Sequence, residues 1–124
     1  MLKLNSVMIG SVKPKVLSEF YEKVVERKPD WSDGDWHGWQ AGNTHLTIGE
    51  HSEAKGKSKS PERVILNFET SEVKEEFERI KKIKGAEVIK EPYEMQGAWI
   101  ATLADPDGNY FQLMSPWEEE SMVN

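Results

Sequence analysis

Three histidines, His37, His45 and His51, are the side chains best able to move a proton or hold a metal in this chain. Histidine titrates near neutral pH, which suits it to general-base work and to metal ligation. His45 is the best positioned, because it falls in the middle of an alternating strand pattern. A histidine satisfied by a neighbouring polar group is the plainer explanation. Spacings of 8 residues from His37 to His45 and 6 from His45 to His51 match no short metal motif. Five tryptophans, Trp31, Trp36, Trp39, Trp99 and Trp117, are many for 124 residues. Trp31, Trp36 and Trp39 crowd a Gly/Asp segment that a core need not supply. They could line a flat aromatic or cationic ligand, or pack a core or a subunit interface. Asp30, Asp33, Asp35 and Glu50 could draw a cation toward that segment, although an exposed acidic loop is the better explanation.

Other eye-catching residues have simpler explanations. Asp105 and Asp107 sit in Asp105-Pro106-Asp107-Gly108-Asn109, where turn chemistry accounts for both. Lys55-Gly56-Lys57-Ser58-Lys59 lacks the upstream glycine of a phosphate loop and reads as a solvated connector. Glu94, Met95, Gln96 and Gly97 lie just before a strand, where a lid would sit, or form an ordinary connection.

These side chains must be held by a scaffold, and composition bounds it. A chain of 124 residues and 14.2 kDa suits one domain able to bury a sizeable core. There is no cysteine, which excludes disulfide scaffolds, zinc knuckles and thiol catalysis. A net charge of −6 without a basic stripe argues against nucleic acid as partner. No apolar run reaches membrane-spanning length, and the N-terminus carries no secretory pattern, so a cytoplasmic protein is expected.

Alternation predicts a strand at 4–10, and apolar residues at helical spacing predict a helix over 14–27 with Pro14 in its first turn. Residues 31–38 have no clear assignment. A hairpin follows around Gly42-Asn43, and 52–62 is a polar connector. The pattern then recurs, with a strand at 63–69 and a helix capped by Thr70 or Ser71 that runs through Val73, Phe77, Ile80 and Ile83 to Gly85. A short strand at 88–89 comes next, with a loop opened by Pro92, then strands at 99–104 and 110–114. Residues 118–124 read as an acidic tail. Val7, Ile9, Val16 and Phe20 match Val64, Leu66, Val73 and Phe77 at an offset of 57, which suggests an internal duplication.

Strand parity divides the side chains between two faces. Val7, Ile9, Leu46, Ile48, Val64, Leu66, Phe68, Phe111 and Leu113 are expected under the helices. Ser6, Met8, His45, Thr47, Ile65, Asn67, Tyr110, Gln112 and Met114 are expected on the opposite face. A two-residue turn at Gly42-Asn43 would add Gln40 to that face, and a three-residue loop would add Trp39. Pairing Asp105 with Tyr110 would add Trp99 and Ala101, and a bulge would reverse this.

Three segments resemble the vicinal oxygen chelate superfamily, which holds glyoxalases, bleomycin-resistance proteins and extradiol dioxygenases. They are Ser18-Glu19-Phe20-Tyr21-Glu22-Lys23-Val24, Leu66-Asn67-Phe68-Glu69 with the helix and Gly85-Ala86 after it, and Asp105-Pro106-Asp107-Gly108-Asn109-Tyr110-Phe111-Gln112-Leu113. The last is the most specific. The resemblance implies an α+β fold of two βαβββ modules, with curved, mostly antiparallel sheets around a cavity, helices outside, and often a homodimer. The expected layout is one domain over 1–117, made of a module at 1–51, the connector and a module at 63–117.

Metal-dependent members of that superfamily place His, Gln or Glu at four positions, which correspond here to Ser6, Thr47, Ile65 and Gln112. Isoleucine offers no donor, and only Gln112 offers a plausible oxygen ligand, so these four do not form a metal site. The resemblance therefore implies a metal-independent protein binding a small organic molecule, through Ser6, Met8, Trp39, His45, Thr47, Ile65, Asn67, Trp99 and Gln112. No cofactor is expected, and His45 is the best catalytic candidate. One alternative is a metal-dependent lyase, isomerase or dioxygenase with relocated ligands such as His45, His37 or Glu50. Another is a non-catalytic structural or regulatory partner.

Overall fold

A computed structural model describes residues 1–116. Trp117 and the acidic tail at 118–124 lie outside the described residues. The chain forms two compact units, Met1–Gly56 and the part from Lys57 onward. Each is a βαβββ module with one four-stranded mixed sheet and one helix, an α+β architecture.

The first unit contains β1 (Ser6–Ser11), α1 (Pro14–Val25), β2 (Trp31–Asp33), β3 (Trp36–Ala41) and β4 (Thr44–Glu50), with the sheet in the order β1-β4-β3-β2. β1 runs parallel to β4, and the other pairs are antiparallel. The helical crossover makes the parallel pair possible, since parallel strands need a long connection. Pro14 opens α1, and Glu26 ends it in the left-handed conformation with φ 56°. Leu17, Phe20, Tyr21 and Val24 are buried on the side of α1 that packs on β4 and β1.

The unassigned segment is the β2–β3 hairpin. Asp33 pairs with Trp36, which leaves Gly34-Asp35 as a two-residue turn with Gly34 at φ 61°. A positive φ at the first central residue is what such hairpins favour, and glycine adopts it without a Cβ clash. The next turn, Gly42-Asn43, pairs Ala41 with Thr44 and therefore Gln40 with His45.

The second unit contains β5 (Leu66–Glu69), α2 (Val73–Ile80), β6 (Glu87–Met95), β7 (Ala98–Ala104) and β8 (Tyr110–Met114), ordered β5-β8-β7-β6. β5 is shorter than the expected strand at 63–69. Pro61 begins a turn that the Arg63 N–H closes onto the Ser60 carbonyl at 3.1 Å, so Val64 is 72% exposed rather than packed under a helix. Thr70 Oγ1 accepts the Glu72 N–H at 3.1 Å just ahead of α2. The helix stops at Ile80, and turns carry the chain on to Gly85, at φ 99°.

β6 is much longer than the expected pair at 88–89 and runs through Pro92. This is permitted because β6 is an edge strand with register shifts between Val88 and Lys90 and between Lys90 and Tyr93. Gln96-Gly97, both at positive φ, then make a tight hairpin turn in place of a lid.

The duplication is real in topology, but the expected offset of 57 is wrong for the helices. Val16 is half-exposed whereas Val73 is buried. Leu17, Tyr21 and Val24 match Val73, Phe77 and Ile80 in burial at an offset of 56.

Candidate functional site

Parity on β1 and β4 puts Val7, Ile9, Leu46 and Ile48 on the helix side of the first sheet and sends Ser6, Met8, His45 and Thr47 to the other side. Ser6 pairs with His45 and Met8 with Thr47, so the four form two adjacent rows. Gln40 joins the first row beside His45, and Gly38 joins the second beside Thr47. Ser6, Met8 and Gln40 are exposed, and His45 and Thr47 are partly so. This face is therefore open and carries neutral hydrogen-bonding groups.

Two indoles lie across its far end. The position of a Cβ on Gly38 is filled by Trp31, with Nε1, Cε2 and Cζ2 as the nearest atoms. The same position on Gly49 is filled by Trp36, with Cδ2, Cε3 and Cζ3 nearest. In each case three successive ring atoms are almost equidistant, so each ring covers its glycine face-on. Any Cβ there would collide with the ring, which explains why both strands carry glycine at these positions. Trp31 and Trp36 remain 43% and 38% exposed, a large apolar area to leave in water unless something stacks on it.

Trp39 is not part of this face. Opposite Leu46 it points to the helix side, is 1% exposed, and donates its indole N–H to the Arg27 carbonyl at 2.8 Å. The two-residue Gly42-Asn43 turn decides this, since a one-residue change in register exchanges the faces. His37, opposite Ile48, is also on the helix side, and its Nδ1 lies 2.8 Å from Ser32 Oγ. His51 follows β4, its Cβ and Cγ lying against Gly10, and its Nδ1 accepts the Glu53 N–H at 3.2 Å.

On the second sheet, Asn67, Gln112 and Thr102 form one row across β5, β8 and β7. Gln112 Nε2 donates to Thr102 Oγ1 at 3.1 Å. Tyr110 and Met114 share that face by parity. Ile65 is half-buried and precedes β5.

Trp99 is on the helix side of this sheet, where Lys74 Nζ sits 3.8 Å from its ring centre. The expected pairing of Asp105 with Tyr110 does not occur. Ala104 pairs with Tyr110 and Thr102 with Gln112. The cause is the Asp105 side chain, which is buried and accepts the backbone N–H groups of Asp107 at 2.9 Å and Asn109 at 3.0 Å. That keeps Asp105 inside the turn and shifts the register by one, which moves Trp99 and Ala101 to the other face.

No three His, Asp or Glu side chains gather around a possible metal position among the described residues. Ser6, Thr47, Ile65 and Gln112 supply two hydroxyls, a hydrocarbon and an amide already hydrogen-bonded to Thr102, a poor donor set for a divalent metal.

A mixed sheet of order β1-β4-β3-β2, repeated with its own helix, defines a two-module α+β protein. The chain belongs to the glyoxalase-like domain family of the vicinal oxygen chelate superfamily, whose family model matches residues 6–114. No curated protein matches it in sequence. Among solved structures, it is similar to a glyoxalase/bleomycin resistance protein/dioxygenase family enzyme from Burkholderia phytofirmans PsJN, at 24% identity and TM-score 0.74, over 92% of this chain and 98% of that one. It is also similar to a glyoxalase/bleomycin resistance protein from Albidiferax ferrireducens T118, at 18% identity and TM-score 0.72, over 90% and 98% of the two chains. A lactoylglutathione lyase from Agrobacterium tumefaciens shares the fold at 14% identity and TM-score 0.68, over 91% and 92%. No helix among the described residues is long and apolar enough to cross a membrane.

Proposed function

We propose that this protein binds a small, flat organic molecule on the open face of its first sheet, without the metal used by metal-dependent members of its superfamily. The observation that carries the reading is the pair of exposed indoles, Trp31 and Trp36, laid face-on over Gly38 and Gly49. A ring stacked on them would sit beside Ser6, Gln40, His45 and Thr47, which can orient its polar substituents. His45 is the residue on this face able to exchange a proton with such a ligand. Met8 adds apolar surface on the same face.

The test is a tryptophan-fluorescence titration with flat aromatic amines, neutral aromatics and glutathione S-conjugates. Saturable quenching is expected for at least one class, weakened about tenfold or more in Trp36→Ala and unchanged in Trp39→Phe. Quenching of equal strength in wild type and Trp36→Ala would sink the reading. The homodimer that the superfamily resemblance implies is tested separately, by molar mass from sedimentation or light scattering.

A further inference from the structure

His51 follows β4 and keeps its side-chain parity. The His51 backbone N–H donates to the Ser11 carbonyl at 2.9 Å, so pairing with β1 runs one residue past the strand. His45, Thr47, Gly49 and His51 therefore share the open face of the first sheet. A second observation agrees. A Cβ on Gly10, which has the parity of Ser6 and Met8, would lie 2.8 Å from His51 Cβ and 3.4 Å from its Cγ. Gly10 pairs with Gly49, which Trp36 covers. Two paired glycines thus make a floor, with the His51 side chain over one and the Trp36 indole over the other.

The imidazole presents one defined atom. The Glu53 N–H donates to Nδ1 at 3.2 Å, so in the neutral ring the proton sits on Nε2. His51 is exposed, and no acceptor among the described residues meets that Nε2–H. An indole face supplies stacking area without direction, whereas an N–H beside it can choose between ligands of one shape.

Charge narrows what this donor can meet. The open-face positions of β1 to β4 hold no lysine or arginine, and Asp33, paired with Trp36, shares the face. A carboxylate ligand would find no fixed positive charge there and one negative neighbour. A neutral acceptor in the plane of a stacked ring needs only the donor.

We propose that His51 selects the ligand stacked on Trp36, the reading on which this rests: its Nε2–H donates to a neutral acceptor, a ring nitrogen or a carbonyl, on the edge of a flat heteroaromatic molecule. His51 acts as a specificity-determining residue, and no proton is transferred.

Quinoline and naphthalene test this, because they share one flat outline, differ by a single ring nitrogen, and are both neutral at mildly alkaline pH. Amide chemical shifts of the full chain follow both titrations, with the Gly10 and Gly49 amides expected to move. Quinoline should bind about three- to tenfold more tightly than naphthalene, the worth of one neutral hydrogen bond. His51→Asn keeps an acceptor for the Glu53 N–H but lacks the Nε2 donor, and should bring the two affinities together. His37→Asn, on the helix side, should leave the preference unchanged. Ring-nitrogen chemical shifts should place the His51 proton on Nε2. Equal affinities in the wild type, a preference that survives His51→Asn, or one lost in His45→Asn instead would overturn the proposal and leave the stacking site standing. So would a proton on Nδ1. Binding of both probes that is indifferent to Trp36→Ala, or no saturable binding of either, would remove the stacking site and this proposal with it.

Discussion

The Trp36 indole covers Gly49 face-on from the neighbouring strand, in the place where any other residue would carry its Cβ. Gly49→Ala must therefore displace the ring. Trp36 is partly exposed and can swing aside, so the stability cost should be modest, about 1 kcal/mol. The ring's orientation should be lost, however. Urea unfolding reads the first effect, and iodide quenching with ligand titration reads the second. An unchanged affinity in Gly49→Ala would mean that the platform need not be ordered.

Trp39 and Trp36 stand three positions apart in β3, on opposite faces, and should behave differently. Trp39→Ala should cost about 3–5 kcal/mol, because it empties a buried site. Trp39→Phe removes the hydrogen bond to Arg27 and part of the buried ring volume, and should cost less, about 1–3 kcal/mol. Trp36→Ala should cost less stability than Trp39→Ala, about 1–2 kcal/mol, while weakening the ligand. Chemical denaturation of the three variants in parallel checks this division.

Asp105 looks catalytic in the sequence and is structural in the fold. Asp105→Ala would leave the Asp107 and Asn109 N–H groups without their acceptor and should cost about 2–4 kcal/mol. Asp105→Asn keeps one acceptor oxygen and should cost less. Neither variant should alter ligand affinity at a temperature where both stay folded.

Metal content separates the proposed reading from a metal-dependent enzyme. Mass spectrometry of untagged protein should find less than stoichiometric metal, and a thermal-shift screen of divalent ions should show no saturable stabilisation. A stoichiometric metal lost in His45→Ala would move the protein into the enzymatic class, with ligands outside the four usual positions.

The second sheet offers a smaller test. Thr102→Val keeps the shape of a side chain that is 6% exposed but removes the acceptor of Gln112 Nε2. A loss of about 1 kcal/mol is expected, with the Gln112 side-chain amide resonances moving in the spectrum.

Local chemistry along the chain was enough to establish much of this protein. The helix from Pro14, the Gly42-Asn43 turn, the Asp105–Asn109 turn and each of the three segments that carry the superfamily resemblance rest on residues close together in the chain, and strand parity put Ser6 and His45 on one face. Period and turn chemistry are local properties, so they can be read without coordinates. Facing is not local once a turn admits two registers. Only the assembled sheets decided that Trp39 and Trp99 point to the helices, and that Trp31 and Trp36 share the open side. One residue of register exchanges the two faces of a strand, and Asp105's buried hydrogen bonds or the length of one turn set that residue. The glycines at 38 and 49 were visible from the start. That they exist to receive indoles from the adjacent strand could be seen only when the strands were paired.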